Sequence, residues 1–242
     1  MYPWPSNFYT TPTADSPTGL AVALPAALLP KNTQQAEFPA DEFLNGKPGF
    51  TPNAQLRFAS AQPVDGSSLP PLGDIGSSLA EQAPIVLLEV RSGERWPYFA
   101  EVDATAVAGE PQTIFVRPMR RPRAGERYVV AVRGLRDKNG EEIPASPLFR
   151  ALRDELTTDV PQLEAERARY DEIFAALARR WCNEWPHVAD PSPPRSAARS
   201  LACGGISAEA VSLATRTCPL RNVGQAMLYR TWPLGHVRQG VA

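Results

Sequence analysis

The chain has 242 residues, 43% of them hydrophobic and 21% charged, with a formal net charge of -1; it is long enough to bury a sizeable core, and it carries no global field that would attract nucleic acid or anionic lipid. No apolar run approaches the roughly 20 residues of a membrane-spanning helix, and the opening MYPWPSNFYTT lacks the basic start and apolar centre of a signal peptide. All three cysteines (Cys182, Cys203, Cys218) and both histidines (His187, His236) lie beyond residue 180, so residues 1–180 hold no disulfide, thiolate or imidazole chemistry.

Twelve of the 26 prolines precede Leu72, which argues against helices in the first third. Residues 1–65 read as an extended, proline-rich segment with one or two edge strands, in GLAVALP (Gly19–Pro25) and AQLRFAS (Ala54–Ser60). Trp4, Phe8, Leu20, Val22, Leu24 and Phe50 are too frequent for a disordered linker, so the segment is expected to wrap over a neighbouring core.

Residues 66–145 predict an antiparallel sandwich. Strand signals fall at Ile85–Val90, Trp96–Ala104, Thr113–Pro118 and Arg127–Leu135, separated by Ser92-Gly93, Ala108–Pro111, Ala124-Gly125 and Lys138-Asn139-Gly140. Alternation places Tyr128, Val130 and Val132 on one face of the last strand and Val129, Ala131 and Arg133 on the other, a half-buried pattern. The expected inward set is Val86, Leu88, Ile114, Val116, Tyr128, Val130 and Val132.

Residues 146–180 predict a helical connector. Ser146-Pro147 reads as an N-cap with proline at the first helical position. A longer helix over Val160–Ala178 carries Leu163, Tyr170, Ile173, Phe174 and Leu177 at helical spacing, a face expected to dock onto something. Residues 181–242 contain no lysine, six arginines and three tryptophans. They show no apolar periodicity and read as an irregular tail.

Several constellations could carry chemistry. GDIGSS (Gly73–Ser78) and GGISAE (Gly204–Glu209) resemble a nucleophile elbow only loosely, since neither is Gly-x-Ser-x-Gly. Cys182, His187, Cys203, Cys218 and His236 lack the close ligand pairs of structural zinc. DKNG (Asp137–Gly140) has the oxygen-rich look of a calcium loop but lacks its closing glutamate; Asn-Gly is instead a tight-turn signal, with Asn139 tolerating positive φ. Glu101 and Asp103 alternate along a strand and could form a carboxylate pair, although a solvated face fits better. The run RPMRRPR (Arg117–Arg123) reads as a solvated loop rather than a polyanion patch. Trp96 and Tyr98 are candidate exposed aromatics for a polysaccharide or lipid surface. No residue is assigned as catalytic, cofactor-binding or metal-ligating.

In order, PWPSNFYT, GLAVALP, NGKPGFTPNAQL, PIVLLEVRSGERWPYFAEVDA, TIFVRPMRRPRAGERYVVAVRGLRDKNGEEIPAS and ARYDEIFAAL resemble the N-terminal non-catalytic region of large secreted bacterial α/β-hydrolases of the virulence-factor lipase type. The part from Arg117 to Ile143 also resembles bacterial Ig-like domains, and the likeness covers roughly residues 3–178. It implies a mainly β fold: an Ig-like sandwich with a proline-rich N-terminal wrap, two C-terminal helices and an irregular tail. It further implies an extracellular or cell-envelope accessory region that docks its Val160–Ala178 helix against a hydrolase domain not present in this chain. The family's catalytic residues match no position here. A free-standing Ig-like binding or adhesion module is the alternative. Because the likeness and the periodicity end together, the chain from about Arg179 is expected to be read out of its ancestral frame.

Overall fold

A computed structural model describes residues 3–107, 109–184 and 223–230. The molecule is mostly β, with antiparallel sheets and a few helices. It divides into two compact units, one comprising Met1–Ile143 together with the chain from Ala226 onward, and the other comprising Pro144–Gln225.

In the first unit, β1 (Thr10–Pro12) and β2 (Leu20–Val22) form a small hairpin. One turn of helix, α1 (Ala40–Phe43), follows, consistent with the proline content of this region. β3 (Leu56–Ser60), β5 (Tyr98–Val102) and β6 (Gln112–Pro118) make a three-stranded sheet in the order β3-β6-β5. β4 (Ile85–Glu89), β7 (Arg127–Arg133) and β8 (Val223–Arg230) make a second, in the order β4-β7-β8. β3 lies before the expected boundary at residue 65, yet it pairs along its whole length with β6, from Leu56↔Val116 to Ser60↔Gln112.

Both three-stranded sheets feed one apolar cluster. Leu56 and Phe58 of β3, Tyr98 and Ala100 of β5, and Ile114 and Val116 of β6 meet Ile85 and Leu87 of β4 and Tyr128, Val130 and Val132 of β7. The period of two along each strand selects these residues. Tyr98 spans the core, its hydroxyl donating to the Ile85 carbonyl at 2.6 Å, and burial pushes its phenol pKa up. The N-terminal segment does wrap this core: Tyr9, Val22 and Phe50 belong to the cluster, with Trp4, Phe8 and Leu24 packed against it.

Two features of the inward set need correction. On β4 the residues in this cluster are Ile85 and Leu87, not Val86 and Leu88. Every residue of β4 is buried, so its sequence carries no polar alternation from which parity could be read. β7 is likewise not half-buried, because Val129 and Ala131 on its second face are both 0% exposed.

The second unit contains α2 (Pro147–Arg153) and α3 (Pro161–Glu184). Ser146 caps α2 as expected, its hydroxyl accepting the Phe149 N–H at 3.2 Å. Leu163 packs with Ala151 and Leu152, and Tyr170 packs against that group. α3 continues six residues past Ala178 in the helical register. The tail is not irregular throughout, since β8 falls within residues 181–242. His187, Cys203, Cys218, His236, the GGISAE run and most of the segment expected to be out of frame lie outside the described residues.

Candidate functional site

The arginine run beginning at Arg117 is exposed at Met119, Arg120, Arg121 and Arg123, as a solvated loop would be, but Arg117, Arg120 and Arg123 are engaged in ion pairs. Arg117 pairs with Glu101 through Nη2 at 2.6 Å and Nε at 2.7 Å. Arg120 pairs with Glu94 at 2.5 Å, while Arg123 reaches Glu94 at 2.7 Å and Glu89 at 2.8 Å. Glu89 ends an otherwise apolar strand and is only 2% exposed. Its carboxylate is satisfied further by the Arg91 N–H at 3.1 Å and the Ser92 hydroxyl, as a buried charge requires.

Trp96 forms the floor of this cluster. The Arg120 guanidinium lies 3.6 Å from its ring centroid and that of Arg123 5.0 Å away, a cation–π arrangement. The indole Nε1 donates to the Arg120 carbonyl at 2.6 Å, and Tyr128 meets the ring edge-on at 5.4 Å. The Tyr128 hydroxyl accepts the Arg123 N–H at 2.7 Å, and burial raises its phenol. Hydrogen bonds from Arg120 and then Arg123 hold the Glu94 carboxyl below its ordinary value, and Glu94 raises the Arg123 guanidinium in turn. A carboxylate held ionised in this way is a poor proton donor. The arrangement clamps the loop before β7 onto the connection between β4 and β5. Glu89 and Glu94 escaped the sequence reading; the available signal was the acid closing the apolar run IVLLE.

The other candidates are consumed structurally. The Ser78 hydroxyl of the GDIGSS run donates to the Ile75 carbonyl at 2.7 Å and accepts the Tyr98 N–H at 3.2 Å. Its residue is buried, and it is no elbow nucleophile. Glu101 and Asp103 do not act as a pair. Glu101 faces Arg117, whereas Asp103 lies past the end of β5 and accepts from the Thr105 hydroxyl and N–H, which hold its carboxyl down.

Asp137 organises the turn that closes the Arg127–Gly140 unit. One carboxylate oxygen accepts the N–H groups of Asn139 at 2.8 Å and Glu141 at 2.9 Å, and the other faces the Asn139 amide at 3.2 Å. These bonds, the Glu141 N–H foremost, lower its carboxyl. The left-handed position is Gly140 at φ 83° rather than Asn139. Among the described residues, no group of three or more His, Cys, Asp or Glu is placed to hold a metal.

Trp96 and Tyr98, 1% and 0% exposed, are core residues and not surface aromatics. Parity hid this, because Tyr98 opens β5 facing inward while Trp96 enters the core from the turn before it. The apolar residues Leu163, Ile173, Phe174 and Leu177 of α3 are also buried. Among the described residues of the second unit, the exposed large apolar side chains are instead Leu148, Leu156 and Val160. Among the described residues, no helix is long and apolar enough to cross a membrane.

No protein-family model and no curated protein matches this chain.

Proposed function

We propose that residues 3–178 form a non-catalytic, Ig-like accessory scaffold of the kind attached to secreted bacterial esterases and lipases. The observation that carries this reading is the fate of the polar side chains. Ser78, Glu101, Asp103, Asp137 and the Arg120/Arg123/Glu94/Glu89 group each complete a turn, an edge or a clamp. The sharing of one core by two antiparallel sheets supports the sandwich part of the proposal. The order of the sequence motifs supports the family likeness.

If a hydrolase domain accompanies this scaffold, the α3 face from Leu163 to Leu177 is not what it meets, because those side chains are already buried. Among the described residues of the second unit, Leu148, Leu156 and Val160 are the exposed apolar groups left for it. The burial of α3 equally favours the alternative, a free-standing module, although Trp96 and Tyr98 cannot serve as its ligand-binding aromatics.

The test is esterase assay of the purified chain with p-nitrophenyl butyrate. No turnover above buffer is expected. Activity that copurifies with the chain and is abolished by Ser78→Ala would overturn the non-catalytic reading.

A further inference from the structure

Asn-Gly occurs twice in the chain, as Asn45-Gly46 and Asn139-Gly140. In both, the glycine takes a left-handed conformation, at φ 77° and 83°. The dipeptide is chemically self-reactive, because a glycine without a side chain leaves its own backbone nitrogen open to approach the preceding carboxamide. The two copies differ in where their hydrogen bonds lead.

Asn45 closes the neck of an excursion that leaves β2 and returns at Gly46. Both ends of its carboxamide are tied: Oδ1 accepts the Leu24 N–H at 2.8 Å, and Nδ2 donates to Asp41 of α1 at 2.7 Å. The Gly46 N–H is bonded to the Val22 carbonyl at 2.8 Å, and the Val22 N–H returns to the Lys47 carbonyl at 2.8 Å. Val22 is itself a core residue. Freeing the reacting groups of this pair therefore means detaching β2 from the segment beside it. At Asn139-Gly140 the corresponding bonds all end on Asp137. The Asn139 amide faces Oδ2 at 3.2 Å, the Asn139 N–H reaches Oδ1 at 2.8 Å, and the Gly140 N–H reaches the Asp137 carbonyl at 3.0 Å. Both residues are exposed. Opening this one turn frees them while β7 stays paired, and local openings of that kind lie at the low end of the free-energy range.

We propose that Asn139-Gly140 is a self-modification site of the folded chain, deamidating through a succinimide, and that the fold protects the identical dipeptide Asn45-Gly46. The Gly140 nitrogen gives its proton to solvent base and attacks Cγ of Asn139. The new C–N bond forms as the Cγ–Nδ2 bond breaks, and ammonia leaves. Water then adds to either carbonyl of the five-membered ring and opens it. One opening gives aspartate; the other gives isoaspartate, with the backbone routed through the former side chain. Either product removes the amide donor that faced Asp137 and sets a carboxylate beside it, and like charges at that range oppose one another. Isoaspartate also lengthens the backbone by one carbon, so the Asp137 carboxylate no longer reaches the N–H groups at 139 and 141 together. The turn after β7 is loosened, while the sheet before it is untouched.

Peptide mapping of the full-length chain, incubated in mildly alkaline heavy-oxygen water, tests the proposal, since ring opening leaves a heavy oxygen at each converted site. In the folded chain Asn139 should convert on the order of tenfold faster than Asn45, with isoaspartate among the products. In denaturant the two rates should converge. Equal rates in the folded chain, or faster conversion at Asn45, would overturn the proposal, as would an Asn139 that converts only in denaturant. A gap that persists in denaturant would assign the difference to the neighbouring residues and overturn the role of the fold. Amide hydrogen exchange on the converted chain reads the consequence: protection at Gly140 and Glu141 should fall while Val129 and Ala131 keep theirs. Unchanged protection at Gly140 and Glu141 would overturn the loosening of the turn.

Discussion

Val130 and Asn139 belong to one strand-and-turn unit but answer to different physics. Val130 is enclosed by both sheets, so Val130→Asp introduces an unpaired carboxylate there and should cost roughly 3–5 kcal/mol. Asn139→Ala removes a 3.2 Å contact in an exposed turn and should cost about 0.5 kcal/mol. Urea midpoints compare the two variants directly, and equal losses would mean that the core or the turn is misplaced. At the end of α2, Glu155 stands at φ 55°, in the left-handed position that glycine favours. The Leu156 N–H returns to the Ala151 carbonyl at 2.9 Å and the Glu155 N–H to the Leu152 carbonyl at 3.4 Å, the bond pair of a Schellman cap. Glu155→Gly removes the left-handed penalty and should stabilise by about 1 kcal/mol. A lowered thermal midpoint would show that the charge of Glu155 outweighs its backbone strain.

At the scale of the element, α3 is anchored at its start by one carboxylate. Glu164 accepts the Thr158 N–H at 3.0 Å and hydroxyl at 2.7 Å, and it pairs with Arg167 at 2.6 Å. Arg167 also donates to the Leu156 carbonyl at 2.5 Å. The hydrogen bonds from Arg167 and then Thr158 hold the Glu164 carboxyl down to about 2, against an ordinary 4.5. A folded-state value below the unfolded one favours the fold above the unfolded pKa and loses that contribution as pH falls toward the folded value. The contribution of Glu164 should therefore be complete above about pH 4.5 and should fade between 4.5 and 2. Helical circular dichroism under denaturant, followed from pH 6 to pH 2, should show a steeper decline for the wild type than for Glu164→Gln. Parallel pH profiles would mean that this carboxylate does not anchor the helix. Sequence periodicity located α3, but its anchor required the turn at Leu156–Thr158 to fold back within reach.

Across the whole molecule, the sequence by itself determined the β-rich character, four of the central strands, the capped start of α2 and the amphipathic stretch of α3. Each of these rests on local causes: alternation, turn residues, proline placement and helical spacing. The packing of Trp4, Phe8, Val22, Leu24 and Phe50 onto the core was legible as well, since apolar residues that dense must be buried somewhere, while the buried Tyr9 was not singled out. Tertiary structure decided what local pattern cannot encode. The inward parity of β4 was hidden because IVLLE is buried on both faces. The partners of the arginine run were hidden because Glu89 and Glu94 lie some thirty positions upstream, and only the folded loop sets them against Trp96. The membership of β3 in the β6 sheet, and of β8 beside β7, joins segments far apart in the chain. Pairing between distant strands depends on which edge remains open once the nearer covers have formed, and that is a property of the assembled sheets rather than of any one stretch of residues.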